Sequence, residues 1–414
     1  ERLFHNDQYI QEFTTVIVEK TSRKIDKNTT KSAIILKSTA FYPTSGGQLN
    51  DIGSITFSKN NKVINVIDVI EEKHNIIHIL DSVEDDAIVG DEVQGKIDWQ
   101  RRLDHMQQHH GQHILSSAFI QVSGISTVAF HMSSSVSNID LEVDKISEDV
   151  IIKVQDAANQ VIIDARPVEI TQHTIEEANK LPLRKKLDAT LEEPIRIINI
   201  KDYDLQPCCG THPNNTSQVQ SIVILGCESI KKQTRLYFIC GTRVTNYARQ
   251  ASSTFSSLGK HLSCSSSTQD VTSAVEAQIE SYNQLKKTCN DYEKIVLRST
   301  ASELFQTADV TQSGSKLIVS ELKGKDMRFM RAVAKEAVFS SNSIVCLYNC
   351  DAETQFVINC STDLKQVDLR QVVKSLFVKV NGKGGGQAVS VTGTLKTNNS
   401  KLVHSECHDI LNKL

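Results

Sequence analysis

Four histidines within nine positions constrain this chain more than any other feature of its sequence. They lie in the run HMQQHHGQHILSSAF, residues 105–119, which has few helix breakers. Residues four apart lie one above the other on a helix, so the pairs His105/His109 and His109/His113 each share a face. Two imidazoles spaced in this way can chelate a metal. The pattern alone is weak, because most such histidines are ordinary packed residues, and a metal site needs further ligands from elsewhere in the chain.

A second group of candidate ligands lies in the turn PCCGTHP, residues 207–213. The turn offers the thiols of Cys208 and Cys209 together with the imidazole of His212. A thiolate and an imidazole from a tight turn, joined to the histidines of the helix, would complete a tetrahedral zinc site. Since the two segments are far apart in sequence, they meet only if the fold is organised around them. The spacing alone leaves open which cysteine binds.

The same residues exclude the familiar zinc proteases. The motif HExxH needs a glutamate where this chain has His110, and the inverted motif HxxEH needs one where it has Gln112. The paired C-x2-C spacings of structural zinc fingers are missing as well. Mixed histidine and cysteine ligands without a neighbouring glutamate therefore indicate a zinc ion that holds or polarises a ligand.

The length and charge of the chain limit its class and its partners. At 414 residues it is too long for one ordinary domain. A formal net charge of -3 and a pI of about 6.5 mean that any surface for nucleic acid has to be a local patch. Apolar runs of about 18 residues are missing, which argues against a membrane span. The cysteine spacing indicates reduced thiols and a cytoplasmic protein, although the chain opens at Glu1 and a targeting segment could precede it.

The pattern of apolar residues predicts an α+β protein with four parts. Residues 1–98 contain β-branched runs separated by turns, which predict a small N-terminal β-barrel. Residues 99–250 mix helix and strand around the histidine run and form the predicted zinc-containing domain. Residues 251–310 are predicted to form a helical linker, with a serine-rich, poorly periodic segment at 251–270 before a long amphipathic helix. Residues 311–414 predict a C-terminal α/β domain with the glycine-rich stretch NGKGGGQ.

Three motifs in this order resemble one known family. FYPTSGGQLNDIG at 41–53, RRLDHMQQHHGQHILSSAF at 101–119 and CCGTH at 208–212 are similar to the editing half of alanyl-tRNA synthetase. The chain most resembles the free-standing AlaX proteins in their long form, which has an additional C-terminal domain. The resemblance covers roughly residues 10–247 and extends more loosely to the glycine-rich stretch. Nothing resembles the aminoacylation domain, so we do not expect the chain to charge tRNA.

The resemblance implies one zinc ion per chain and assigns its ligands by position. His105 belongs to the same motif but would pack beside the site or orient it. His110 stands where the family often has threonine or serine, and Cys209 where it often has glycine. Cys209 as a ligand, or water in one position, remains the alternative. The implied zinc ligands are His109, His113, Cys208 and His212.

The loop at 41–53 is implied to contact the substrate. Gln48 matches the family and would face the aminoacyl end of the tRNA, the alternative being a bond within its own turn. Thr44 replaces a common acidic residue and Ser45 replaces a glycine, so the polarity and backbone freedom of the loop differ from the family pattern. Gln48 and Thr44 are the predicted substrate-binding residues, and no catalytic residue is assigned beyond the zinc site.

The function implied by the resemblance is hydrolysis in trans of serine from mischarged tRNA(Ala), with glycine as a second candidate. A site that hydrogen-bonds the serine hydroxyl would reject the alanyl ester, because its buried polar groups would otherwise stay unpaired. Zinc could lower the pKa of a bound water, or it could bind the amino or hydroxyl group of the substrate. Two alternatives remain: a zinc-stabilised tRNA-binding module without activity, and a hydrolase of another activated aminoacyl ester.

Basic clusters mark the candidate contacts to tRNA(Ala), the implied partner. LPLRKK at 181–186 and KKQTR at 231–235 lie in the predicted editing region, and the glycine-rich stretch offers backbone amides suited to phosphate. Charge runs are more often ordinary solvated surface, and the sequence does not set the oligomeric state. The candidate tRNA-binding residues are Arg184, Lys185, Lys186, Lys231, Lys232, Arg235 and Lys383.

Overall fold

Two compact units, Glu1–Ser257 and Leu258–Leu414, make up the computed structural model of the chain. Within the described residues, no helix is both long enough and apolar enough to cross a membrane. The mixture of helices and sheets confirms the predicted α+β class. The structure describes residues 1–25, 29–82, 88–188, 192–338, 341–351 and 353–414.

A closed β-barrel follows the short helix α1 (Leu3–Asn6) in the first unit. Its antiparallel strands are β1 (Glu12–Lys24), β2 (Thr30–Leu36), β3 (Gly53–Phe57), β4 (Val63–Glu72), β5 (Asn75–Leu80) and β6 (Glu92–Ile97). They close in the order β1-β2-β5-β4-β3-β6. Alternate residues of β6 are buried, as the two-residue period of a strand requires, and Phe13, Ile17, Ile55 and Phe57 pack in the core. The predicted N-terminal barrel is confirmed.

The histidine-bearing helix follows directly from the barrel. This helix, α2 (Trp99–Ser123), begins at Asp98, whose side chain accepts a hydrogen bond from the Arg101 amide, and ends at Gly124 in the left-handed conformation. The next elements are β7 (Thr127–Met132), β8 (Ser137–Leu141), α3 (Glu148–Ile163), β9 (Val168–His173), α4 (Ile175–Asn179), β10 (Ile195–Ile200), β11 (Asp204–Pro207), a 3-10 turn (Thr216–Val219), β12 (Ile222–Ile230), β13 (Gln233–Cys240) and α5 (Thr242–Leu262).

Helix α2 packs against two further sheets and α3. One sheet has the order β12-β13-β8-β7 and the other the order β11-β10-β9. Gly111 allows α2 to approach β13, since a Cβ at this position would lie 2.3 Å from the Cys240 sulfur. The helix is buried along most of its length, with histidines and glutamines inside. Buried polar groups are costly unless they are bonded, so these side chains need partners or ligands.

One buried ion pair joins α2 to the barrel. The side chains of Arg102 and Asp51 are both fully buried, and Nε of Arg102 lies 3.1 Å from each carboxylate oxygen. Arg102 also donates to the backbone oxygens of Gln8, at 2.8 Å, and Ala40, at 2.5 Å. Asp51 accepts a further hydrogen bond from the Tyr42 amide at 2.7 Å. The pair therefore ties the loop after β2 to the first turn of α2.

The second unit contains a mixed sheet with helices packed against it. Its sheet has the order β14-β15-β16-β17-β19-β18, and the glycine-rich stretch forms the edge strand β18. β15 and β16 run parallel, whereas the other neighbours run antiparallel. The elements are α6 (Thr268–Gln306), β14 (Asp309–Val310), β15 (Lys316–Glu321), α7 (Met327–Ala337), β16 (Ser343–Asn349), β17 (Thr354–Cys360), α8 (Leu369–Val380), β18 (Gly382–Gln387), β19 (Ser390–Leu395) and α9 (Ser400–Leu411).

One sequence prediction, for the serine-rich segment at 251–270, differs from the structure. We predicted a poorly periodic linker, but α5 continues through the segment to Leu262 and α6 begins at Thr268. No proline interrupts residues 242–262, and serine costs a helix only a fraction of a kcal/mol relative to alanine. Ser267 serves as the N-cap of α6, which is a position that serine favours. The long helix predicted after the linker corresponds to α6.

Loss of one partner of the buried ion pair should destabilise the first unit. We expect Asp51→Ala to lower the free energy of unfolding by about 3–5 kcal/mol, because Arg102 would stay buried without its counter-ion. Urea unfolding followed by the fluorescence of Trp99, the single tryptophan, measures this loss. Glu12→Ala breaks the exposed pair with Lys96 and should cost at most about 1 kcal/mol. Equal losses of unfolding free energy in Asp51→Ala and Glu12→Ala would contradict the expectation that the buried pair contributes more than the exposed pair.

Candidate metal centre

Helix α2 carries two of the predicted ligands on successive turns. His109 and His113 are buried, and their ring centroids lie 5.2 Å apart. Residues four apart share a helix face, so both rings face the same neighbouring segment. That segment is the end of β11 and the loop after it, where His109 contacts Cys208 and His113 contacts Gln206.

The loop after β11 carries the other two predicted ligands, Cys208 and His212. Arg196 of β10 holds this loop by donating from Nη1 to the backbone oxygens of Cys208, at 2.8 Å, and Gly210, at 2.7 Å. A Cβ at Gly210 would lie 2.7 Å from the His109 ring. The loop can therefore approach α2 this closely only with glycine at this position.

Gln48 holds the same loop from the barrel. Its Nε2 donates to the Thr211 hydroxyl at 2.8 Å, and its Oε1 accepts from the Thr211 amide at 3.0 Å. The turn that presents Gln48 has positive φ at both central residues, Gly46 and Gly47, as a type I′ turn requires. Ser45 lies outside the left-handed region, so its replacement of the family's glycine strains no backbone.

The four predicted ligands come together in one group. One candidate ligand atom from each of them lies within 4.8 Å of the others, and Nε2 of His109 is 3.0 Å from the Cys208 sulfur. Nε2 of His212 is buried and has no hydrogen-bond partner among the described residues, a cost that a bound ion would remove. Three imidazoles and one thiolate are a donor set that fits zinc. Cys209 is exposed and lies outside the group.

Burial sets the charge of the ligand groups. It lowers the pKa of His109 and of His212 well below the usual value, and the charges of neighbouring histidines lower both further. These imidazoles are therefore neutral near pH 7 and offer lone pairs. Burial also raises the pKa of the Cys208 thiol to about 11, against the opposing effects of the Gly210 amide and Arg196. The thiol must therefore lose a proton when it binds a metal.

Residues of β11 orient His113. Its Nδ1 lies 3.5 Å from Oδ2 of Asp204, and the amide nitrogen of Gln206 lies 2.6 Å from Nδ1 and 2.9 Å from Nε2 of the ring. A carboxylate behind a metal-bound histidine is a common arrangement. Asp204 in turn pairs with Arg184 at 2.6 Å. Our sequence reasoning missed Asp204 and Gln206, although the two-residue period of a strand places both on the same face as the predicted ligand Cys208.

His105 lies one turn before His109 and outside the ligand group. It is buried, and burial lowers its pKa to about 4. Its ring hydrogen-bonds the backbone of Leu49. His105 therefore packs α2 against the loop that carries Gln48.

A cavity of about 230 Å³ lies beside the metal-binding group. It gives a small polar molecule access to three of the four candidate ligands. Phe130 stands edge-on to His109, with ring centroids 5.7 Å apart, and forms an apolar wall. The lining residues are the candidate ligands His109, His113 and Cys208, the polar residues Gln112, Thr127, Arg184, Lys185 and Gln206, and Gly46, Val128, Ala129, Phe130 and Pro207.

The two predicted substrate-binding residues do not belong to this lining. Thr44 is exposed, and its hydroxyl accepts from the Asn50 amide at 3.1 Å. Gln48 is fully buried and reaches the site through Thr211. Its side chain bonds Thr211 in a distant loop, whereas the alternative was a bond within its own turn. The role of Thr44 and Gln48 as substrate contacts stays a prediction.

The predicted tRNA-binding residues differ in their ionic partners. Arg184 pairs with Asp204, and Arg235 pairs with Asp140 at 2.7 Å. The turn between β12 and β13 carries two of the exposed lysines, and β18 in the second unit carries another. The exposed residues are Lys185, Lys186, Lys231, Lys232 and Lys383.

Two family models match the chain in the first unit. The model of class II (A) tRNA synthetases matches residues 1–101, which include the barrel. The model of the second additional domain of threonyl- and alanyl-tRNA synthetases matches residues 195–237. The second match includes Cys208 and His212, whereas His109 and His113 lie between the two matches.

Curated relatives cover most of the chain. An alanyl-tRNA editing protein of Xenopus laevis, Aarsd1-B, is 30% identical over 347 residues, which are 80% of each chain. The alanyl-tRNA editing protein AlaX-L of Pyrococcus horikoshii is 28% identical over 93% of this chain and 92% of its own length. An alanine–tRNA ligase of Sulfurisphaera tokodaii is 29% identical over 98% of this chain, which spans only 43% of the ligase.

Metal affinity should follow the ionisation of Cys208 at neutral and alkaline pH. The lowered pKa values leave the histidines neutral there, whereas the thiol, with a pKa of about 11, releases one proton for each ion bound. We therefore expect Zn²⁺ affinity to rise about tenfold per pH unit between about pH 7 and 9. Competition with a chelator of known pH dependence measures the slope. A flat profile, or a rise of about a hundredfold per unit, would contradict these ionisation states.

Proposed function

This chain belongs to the family of alanyl-tRNA editing proteins, and from that premise we propose that it is a deacylase acting in trans on mischarged tRNA(Ala). Serine is the proposed amino acid, with glycine as a second substrate. The observation that carries the proposal is the group of four candidate ligands beside the cavity. An aminoacyl ester is already activated, so its hydrolysis depends more on the positions of ester and water than on a strong nucleophile.

We propose that His109, His113, Cys208 and His212 hold one Zn²⁺ per chain. Bound there, zinc would supply a Lewis acid that either favours ionisation of water or grips a polar group of the substrate. The chain's own residues keep the donors in place. Arg196 fixes the backbone of the Cys208 loop, and the ring of His113 is oriented by residues of β11.

Selectivity for serine over alanine requires a polar group that only the serine hydroxyl satisfies. Gln112 and Thr127 line the cavity, and both hydrogen-bond the Ser116 hydroxyl, at 2.8 and 2.7 Å. We propose that these two residues recognise the hydroxyl: both donate to Ser116, and the amide oxygen of Gln112 and the hydroxyl oxygen of Thr127 can accept a hydrogen bond that serine donates and alanine cannot. Of the two residues predicted to contact the substrate, Gln48 would then affect the site indirectly, by holding the loop that carries Thr211 and His212. Thr44 would contact the substrate only where it reaches the exposed surface.

The proposed partner is tRNA(Ala), and the proposed compartment is the cytoplasm. Lys185 lines the cavity and Lys186 follows it at the surface, so both can meet phosphates near the end of a bound tRNA. All ten cysteines lie within the described residues and are free, which supports a reducing compartment.

Deacylation of Ser-tRNA(Ala) measured beside Ala-tRNA(Ala) tests the proposed activity. The wild-type protein should release serine about a hundredfold faster than alanine or better, because the alanyl ester has no hydroxyl to donate to Gln112 and Thr127. Cys208→Ala should lose activity and bound zinc together. Cys209→Ala removes the adjacent exposed thiol and is the matched control that should keep both.

The outcomes separate the proposed enzyme from its alternatives. If neither ester is cleaved while tRNA(Ala) still binds, the chain is a binding module. Cleavage of small aminoacyl esters that tRNA does not inhibit would indicate a hydrolase of another substrate. Equal loss of activity in Cys208→Ala and Cys209→Ala would contradict the proposed ligand set.

The lysines at the cavity should contribute to tRNA affinity through phosphate contacts. We expect replacement of Lys185 and Lys186 by alanine to weaken tRNA(Ala) binding and to reduce its salt slope by about 1 to 2, at unchanged zinc content. Fluorescence anisotropy between about 50 and 200 mM salt measures both. Arg235→Ala should have the smaller effect, since Asp140 already neutralises that charge. A larger effect of Arg235→Ala would overturn this assignment.

A further inference from the structure

His110 is a buried histidine that contacts one candidate ligand without belonging to the ligand group. It follows His109 on α2 and is fully buried. Its Nδ1 lies 3.0 Å from Nδ1 of His212. The group of four candidate ligands does not include it. His110 therefore reaches the metal centre through the ring of His212.

The contact between the two rings determines which nitrogen of His212 is available to a metal. Two ring nitrogens 3.0 Å apart form a hydrogen bond, in which one donates and the other accepts. The other nitrogen of His212, Nε2, is buried without a partner among the described residues. A histidine that gives its Nε2 lone pair to a metal carries its hydrogen on Nδ1. A His212 ring that binds a metal through Nε2 is therefore the donor, and His110 is then the acceptor.

We infer that His110 is a positioning residue that keeps His212 in its metal-binding tautomer and orientation. The inference rests on the metal centre of the proposed function. Metal-bound histidines usually donate their second N–H to a carboxylate, a backbone carbonyl or water. Asp204 lies where it can accept from His113 in this way. His212 has no such oxygen among the described residues, and Nδ1 of His110 takes its place.

A hydrogen-bonding role and a steric role of His110 predict different effects of substitution. Nε2 of His110 is buried and has no partner in the described part of the chain, so the ring hydrogen-bonds only through Nδ1. Asparagine at this position keeps an acceptor, its amide oxygen, close to the place of Nδ1. Leucine keeps much of the volume and removes the acceptor. A steric role would make these two variants alike.

Zinc affinity, measured by competition with a chelator, tests the inference on the full chain. We expect His110→Leu to weaken zinc binding by about 10- to 100-fold. His110→Asn should stay within about threefold of the wild type. Gln108→Leu is the matched control, because Gln108 is buried on the same helix and bonds the backbone of Cys240 rather than a ligand. It should lower the thermal stability and leave zinc affinity unchanged.

The tautomer of His212 provides a readout that needs no variant. In the zinc-loaded wild type, ¹⁵N–¹H correlations of the histidine rings should place the hydrogen of His212 on Nδ1. A hydrogen on Nε2 would overturn the inference, and so would equal zinc affinities of His110→Leu and the wild type, or of His110→Leu and His110→Asn. If the wild type binds no zinc, the proposed metal centre fails as well. If the wild type binds zinc and the His110 variants bind it with the same affinity, this inference fails and the proposed metal centre stands.

Discussion

The buried pair of Arg102 and Asp51 is the interaction on which the geometry of the candidate metal centre depends. Two charges without solvent are tolerated only when each is bonded to the other and to nearby backbone groups, and that requirement restricts how the barrel can sit on α2. The loop that contains Asp51 also contains Gln48, which holds Thr211 beside the ligands. The position of His212 is therefore coupled to the barrel, although the four candidate ligands all lie outside it.

Helix α2 is central to the first unit even though its buried side chains are mostly polar. Gln107 and Gln108 hydrogen-bond the backbones of Gln218 and Cys240, so their burial is compensated. The histidines on the same helix either bind a neighbour or belong to the ligand group. A polar helix can thus occupy the core when its groups find partners, which explains why its apolar pattern is weak in the sequence.

The features that could be predicted from the sequence depend on local spacing. Alternating β-branched runs predicted the barrel, the four-residue spacing of His109 and His113 follows from helix geometry, and motif resemblance assigned the two ligands in the loop. The bond between Gln48 and Thr211 joins residues that are far apart in the sequence. Helix and strand periodicity describe only neighbouring residues, so they cannot predict it. The helix over residues 251–262 was missed because a serine-rich run is typical of a linker, although serine costs a helix only a fraction of a kcal/mol.

The candidate ligands come in two local pairs, one on α2 and one in the loop after β11, each with members four residues apart. An ion that joins the two pairs closes a loop of roughly a hundred residues. Joining distant segments removes conformations from the unfolded chain, as a disulfide does in secreted proteins. A zinc ion here would therefore act as a reversible cross-link in a chain whose described cysteines form no disulfide, and the folding of the first unit would respond to the supply of metal.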